Sequence, residues 1–412
     1  MSKKLQIALL TISVFIVGFS VVGGLVHASS SAANDGAYSH IQVYSEVLSH
    51  VRLDYVEEPN MPLVTNGALH GLLESLDANS SYLSPSEYKA FKLRKTQGKA
   101  GVGATVSKRF GYATVVSIIP GGPADKAGVN NGDIIETLDG KNTHEMSLAE
   151  VRGRLAGDPG SRLDCTMIRA RKVEPQKIAI VRDVVTLPAV QEQMMPDNVG
   201  YLKVQALNKG RAQEVAAKIK SLEKAGAKRL VLDLRNSSEG DQEEGVAVAN
   251  LFLNHGLIAY LQGQKYPKAT YNADVQKKIT DLPLAVLVNR GTAGAAEIVA
   301  AGILENSRGD VVGDKTFGDG SIQKLIEVPD GSALILSVAK YYTPNGKVIQ
   351  ENGITPNVQV TMAADDQALL PDDDESVAPS EEPQKTAPSK ESKEDDQLRR
   401  AIEVLKNKAK KT

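Results

Sequence analysis

Apolar positions near the start of the chain fall with helical spacing. Ile41, Tyr44, Leu48, Val51 and Tyr55 lie on one face between Ser39 and Val56, and Leu69, Leu72, Leu73 and Leu76 mark a second helix. After "LDANSSYLSPSEY" the pattern changes near Gln97 to glycine-punctuated strands, "GVGATV" and "YATVVSIIP", continuing to about Val185. A third segment opens with "VGYLKVQAL". It continues with a helix that carries Val215, Ile219 and Leu222 on one face and stops at Gly226. Strand and helix then alternate through "RLVLDLR", "EGVAVANLFL", "LIAYLQG", "LAVLVNR", "AEIVAAGILE" and "DVVGDKTFG". Such alternation predicts a mixed α/β core with parallel strands, in an α/β multidomain chain.

The two ends differ from this body. Lys3 and Lys4 precede an uncharged apolar stretch from Leu5 to Val26, followed by "VHASSSAA". That order fits an export signal cut after Ala28, yet the stretch is also long enough to be a retained membrane anchor. Either way the remainder is expected outside the cytoplasm, periplasmic or extracytoplasmic. Between Asp365 and Asp396 twelve acidic residues face only Lys385, Lys390 and Lys393, the composition of a solvated, disordered linker. It ends in "DQLRRAIEVLKNKAKK", a basic amphipathic helix expected to dock on a partner or on its own chain. Five segments result: 1–28 signal or anchor, 36–96 helical, 97–185 a small β-rich domain, 186–362 the α/β core, and 363–412 linker plus terminal helix.

Composition narrows the chemistry. A net charge of −2 and the absence of tryptophan leave no footprint for nucleic acid. The histidines are scattered and no His-Glu-x-x-His or paired Cys/His spacing occurs, so neither metal nor cofactor is expected. Cys165 alternates with Leu163 and Met167 and reads as a small core residue on a strand.

The stretch "GGPADKAGVNNGDIIETLDGKN" combines a helical turn, a tight turn and a strand, and it resembles a PDZ domain of the bacterial type. The resemblance implies capture of polypeptide C-termini by strand addition, with a turn of backbone N–H groups holding the carboxylate. It assigns that turn to Gly101, Val102, Gly103 and Ala104, and the far wall to the helix in "SLAEVRGRLAG", with Val151 and Leu155 facing the peptide. In the other reading the groove packs against a neighbouring domain.

Helices, a PDZ domain and an α/β core in this order, with "LESLDANSSYLSP", "VLDLRN", "VLVNRGTA", "AEIVA", "VVGDKTFG" and "YYTPNGKVIQENGITPNV", resemble the C-terminal processing, or tail-specific, serine proteases. That resemblance implies a serine nucleophile, a lysine general base and a glutamine that orients the lysine. The family's run Ser-Ala-Ser-Ala-Ser-Glu-Ile lies on "TAGAAEI", which puts Gly294 at the nucleophile. Its Phe-Gly-Lys-Gly-Ser-Val-Gln lies on "FGDGSIQ", which puts Asp319 at the base and keeps Gln323. Its Asn-Pro-Gly-Gly oxyanion loop lies on "NSSEG", where Ser238 and Glu239 replace proline and the first glycine and Gly240 is kept. Added carboxylates at Glu239 and Asp241 oppose the charge such a loop stabilises. Thr292, two positions before Gly294, and Lys315 and Lys324, flanking Asp319, are not where a simple slip restores a pair.

Loss of a nucleophile or a base costs on the order of 10⁶ in turnover. The expectation is therefore a pseudoprotease that binds C-termini or unfolded segments without cutting. Its rivals are an endopeptidase built on rearranged residues such as Thr292, and a regulatory subunit that pairs with an active relative as a homo- or hetero-oligomer. Asp319 and Glu239 are expected to be solvated loop carboxylates.

Overall fold

The computed structural model describes residues 35–97, 100–109, 111–169, 172, 174–361 and 395–408, so segment 1–28 and the acidic linker lie outside the described residues. The chain divides into two compact units, 1–68 and 69–412. In the first, helix α1 (Asp35–Asp54) has the expected periodicity, but Tyr38, Ile41, Val43, Tyr44 and Val47 are all exposed. Helix α2 (Met61–Glu74) buries Leu73, whereas Leu76 falls beyond its end and is exposed.

The segment 36–96, read as helical, also contains a strand. Ser81–Leu83 is a strand, β1, whose three residues are buried and pair antiparallel with Ala333–Ile335 far along the chain. Helix α3 (Pro85–Gln97) follows, opened by a capping box in which Ser84 N–H donates to Glu87 and Glu87 N–H to Ser84 Oγ.

The small domain is an antiparallel sheet of β2 (Ala104–Arg109), β3 (Tyr112–Ile118), β4 (Ile134–Leu138), β6 (Arg162–Ile168) and β7 (Gln176–Val181) in that order, with β5 (Lys141–Asn142) on β4. A short helix α4 (Pro123–Lys126) and helix α5 (Leu148–Leu155), capped by Ser147, complete it. Cys165 sits in its core beside Leu163 and Met167, as expected, and burial pushes its thiol up to about 12. Val151 and Leu155 are in that same core instead of facing a ligand; α5 turns them inward because they supply its only apolar side with Leu148.

The large domain is built on a six-stranded sheet ordered β19 (Val358–Gln359), β16 (Gly309–Gly313), β15 (Leu284–Val288), β11 (Arg229–Asp233), β9 (Val199–Lys203) and β8 (Gln191–Met195). All neighbours but β8 pair parallel. Strands β15 and β16 are buried along their whole length, which explains the unbroken apolar sequence of β15, while β16 carries the buried Asp310. Helices α6 (Arg211–Lys224), α7 (Gln242–Asn250) and α8 (Ala295–Glu305) supply the main core on one face. On the other face the terminal helix α9 (Asp396–Lys408) buries Ala401 and Leu405 against Val231, Ala285 and Leu287, so it docks on its own chain. Arg235 fastens its start, bonding Asp233 and Asp395 at 2.6 and 2.7 Å.

A short parallel ladder joins β10 (Ala206–Leu207) to β12 (Glu239–Gly240). The strand "LIAYLQ", β13 (Leu257–Gln262), leaves the parallel alternation. It pairs antiparallel with β14 (Ala269–Asn272) and β18 (Ala333–Tyr342), in a second sheet that also holds β1 and β17 (Ser321–Glu327).

Candidate active site

Loops leaving the carboxyl ends of β11, β15 and β16 converge, the position where open α/β sheets place their ligands. In the turn after β15, the side chain of Asn289 accepts the N–H groups of Asn236 and Gly291, each at 3.0 Å, and fixes the two neighbouring loops together. Thr292 is fully buried. Its hydroxyl donates to Leu234 O at 2.9 Å and accepts from Asn289 N–H at 3.0 Å. That oxygen is committed to the backbone of two strand ends.

Gly294 follows with φ +62° and ψ −121° at the start of α8. This is a sharp strand-to-helix turn in a backbone region that costs an L-residue roughly 1–3 kcal/mol. A Cβ placed there would meet Asp319 O at 3.9 Å, an ordinary contact, so a small side chain fits at 294 without a clash. The frame of a nucleophile turn is present without an attacking oxygen.

Glu297 holds the frame. Its buried carboxylate accepts the N–H groups of Gly294 (2.9 Å), Gly318 (2.8 Å) and Asp319 (2.8 Å) and the hydroxyl of Thr316. Burial pushes this carboxyl up to about 7, opposed by the four donors. One side chain thus ties the nucleophile loop to the base loop. Glycine at 294 with glutamate three residues on is the spacing of a helix cap, the signal that could have singled Glu297 out.

Asp319 is neither solvated nor well partnered. It is partly buried, its carboxylate receives one long bond from Asn79 Nδ2 (3.5 Å), and burial raises its pKa against the charge of Arg152 and that bond. Asn79 also donates to Ser321 Oγ (3.2 Å), and Gln323 Nε2 donates to Ser321 Oγ (2.8 Å) and Ser337 Oγ (3.3 Å). Gln323 therefore orients serines, not the residue at 319. Asp77, from the same "LDANSS" stretch, gathers Asn79 N–H, the Ser80 N–H and hydroxyl, and the Ser337 hydroxyl at 2.8–3.1 Å.

The third loop has new partners. Ser238 Oγ donates to Thr105 Oγ1 (2.7 Å) on β2, Thr105 donates to Glu239 Oε1 (2.6 Å), and Ser117 on β3 bonds Ser238. Glu239 is thus also not a solvated carboxylate, because a strand of the small domain stands against it. Gly240 has φ +137°, and a Cβ there would lie 2.3 Å from Leu207 C and O, so only glycine fits. Around this loop the small domain adds Asn131 Nδ2 to Asn236 Oδ1 (2.9 Å), an apolar contact of Val116 with Ala293 and Phe317, and Arg109 stacked on the Phe317 ring at 4.8 Å. None of these partners was visible in local sequence patterns.

In the expected carboxylate turn, Gly101 N–H is spent on Asp183 O (3.0 Å), so Gly101 offers no donor there. Gly103 takes φ +71°, and among the described residues the N–H groups of Val102 and Gly103 have no protein acceptor. Ala104 begins β2, the sheet edge where a peptide strand would add, and Arg152 of α5 already reaches the Val106 carbonyl there at 3.3 Å. The described residues contain no group of three His, Cys, Asp or Glu side chains placed to hold a metal ion.

The sequence pattern of Peptidase family S41 matches residues 198–360, and that of a PDZ domain matches 114–169. The chain is 32% identical over 362 residues to carboxy-terminal processing protease CtpA of Bacillus subtilis (strain 168), covering 87% of this chain and 76% of that protein. It is 34% identical over 296 residues to the carboxyl-terminal-processing protease of Picosynechococcus sp., covering 71% of each. Among solved structures, a photosystem II D1 C-terminal processing protease matches at 31% identity with a TM-score of 0.64, over 76% of this chain and 86% of that one. With this fold, these converging loops and these likenesses, the chain belongs to the carboxy-terminal processing proteases of peptidase family S41, with a PDZ domain.

Proposed function

We propose that this chain is an exported, non-cleaving member of its family that binds polypeptide C-termini and unstructured segments. One observation carries the reading. At 294 a strand-to-helix turn carries no side chain, and the backbone beside it belongs to Asp319, an acid at the position where the family mechanism uses an amine. Whatever basicity burial lends the Asp319 carboxylate, Gly294 offers it no hydroxyl to deprotonate. The relatives named above are processing proteases, so this proposal separates the chain from them by chemistry and not by fold. Capture of a C-terminus draws on the free N–H groups of Val102 and Gly103 and the edge of β2, and it needs no nucleophile.

The test is a labelled unstructured peptide followed for binding by anisotropy and for cleavage by mass spectrometry. Binding that is lost on C-terminal amidation, with no new termini, is the expected result. Cleavage, or indifference to amidation, overturns it.

A hydrolase using Thr292 is disfavoured by the two backbone bonds its buried hydroxyl makes. A regulatory subunit is favoured by the exposed apolar residues of α1. Recovery of monomers only, at micromolar concentration and beside an active relative, counts against that second reading. Export rests on the basic, apolar, small-residue order of residues 3–28. Among the described residues no helix is long and apolar enough to cross a membrane. The mass of the mature N-terminus from cells decides between cleavage and retention.

A further inference from the structure

A cleft of about 960 Å³ opens between β17, β18 and the Gln262–Tyr266 turn, and Gln323 and Asp77 line its end nearest the loops just described. Its apolar part comes from Ile326, Leu336, Val338 and Tyr342. On β18 the register against β17 shifts between Ala339 and Ser337, and Leu336, Val338, Lys340 and Tyr342 all line the cleft. Three lysines share that lining: Lys265, Lys324 and Lys340. None of the three makes an ion pair among the described residues. The one carboxylate in the lining, Asp77, bonds Asn79, Ser80 and Ser337 instead of any of these lysines.

Apolar surface alternating with unpaired ammonium groups is complementary to an extended chain that alternates apolar and acidic side chains. Like charges held together without partners favour a ligand that brings the opposite sign. The strand β17 on this wall pairs only with β18 among the described residues, which leaves one edge open to an added strand. We propose that this cleft is a second polypeptide-binding surface, selective for extended acidic–apolar segments of a partner protein. The inference rests on the polypeptide-binding function above and names the class of chain it takes beyond the PDZ turn.

The experiment uses the full chain and short fluorescent peptides, amidated at the C-terminus so that the PDZ turn has no carboxylate to hold. A peptide alternating glutamate and leucine should bind about tenfold or more tighter than one alternating glutamine and leucine, and the lysine–leucine peptide should bind least. Added salt should weaken the first far more than the second. Replacing Lys265→Glu, Lys324→Glu and Lys340→Glu together should remove this preference and favour the lysine–leucine peptide, with unchanged circular dichroism and unfolding midpoint. The proposal is overturned by equal binding of all three peptides, by a glutamate preference that survives the triple replacement, or by glutamate–leucine binding that appears only after residues 365–394 are deleted. If only peptides with a free carboxylate bind, the cleft proposal fails while PDZ capture stands. If only the cleft binds, PDZ capture fails while the proposal stands.

Discussion

The loop after β15 and the loop after β11 meet at one site and differ in how their polar groups are satisfied. From Asn289 to Glu297 every hydrogen bond described above closes within the large domain, with Glu297 at the centre. From Ser238 to Glu239 the side chains bond Thr105 and Ser117 of the PDZ domain. In the first loop the shape of a catalytic turn is maintained by a glutamate and by buried backbone bonds, so the side chain at 294 can be absent without loss of the fold. In the second, polar side chains stand where the family motif has proline and glycine, and each has a partner across the domain boundary. The loop after β11 thus bonds the PDZ domain, where the loop after β15 is held within the large domain alone.

Several changes would sharpen this contrast or break it. The largest effect is expected from restoring chemistry: Gly294→Ser with Asp319→Lys, Ser238→Pro and Glu239→Gly should cleave an unfolded polypeptide, read by mass spectrometry. The variant carrying only the first two changes should be slower by about 10²–10³, the worth of an oxyanion donor. A folded fourfold variant that stays inert would mean that the loop geometry is not that of a working site.

Next is Glu297→Gln, whose amide accepts at only one atom and leaves unpaired either the N–H groups of Gly294 and Asp319, which share Oε2, or that of Gly318 on Oε1. Stability by urea unfolding should fall by about 2–4 kcal/mol. A loss within measurement error would show that the carboxylate does not hold the two loops.

A smaller effect, about 1 kcal/mol or less, is expected from Ser238→Ala with Glu239→Ala, because the hydroxyl bonds lost are partly open to water. Hydrogen exchange should nevertheless quicken in β2 and β3 relative to β15. Unchanged exchange there would argue that the loop after β11 holds nothing.

The pH dependence is the finest test. Burial raises the pKa of Asp319, so the native state keeps its proton to higher pH than the unfolded chain does. Its carboxylate therefore weakens the fold increasingly as pH rises from near 4, and below that value the penalty is gone. Asp319→Asn should stabilise the protein at pH 7 and make no difference near pH 4. A stabilisation that grows toward acid would reverse the sign assigned to this group.

Much of this architecture was legible in the chain because periodicity reports burial. The alternation through β11, α7, β15 and α8, the turn before β4 and the amphipathic terminal helix all follow from local patterns. Strand β1 was not legible, since three residues in the polar run "NSSYLS" carry no period. The place of β13 in a second sheet depends on pairing with a strand some eighty residues later. Gly294, Asp319 and Gln323 were found by motif, but the turn of Gln323 toward Ser321 and Ser337 was not. Thr105 and Ser117 reach Glu239 and Ser238 across more than a hundred residues, and no local rule encodes such a contact. Val151 and Leu155 were assigned to a ligand by analogy of position, and the small domain needed them for its own core.

The most direct measurement is incubation of the purified wild-type chain with an unfolded polypeptide bearing a free C-terminus, with both binding and new termini recorded. The account predicts saturable binding and no new termini over times in which the fourfold restored variant consumes the substrate. Cleavage by the wild-type chain at a comparable rate, abolished by Thr292→Ala, would contradict it.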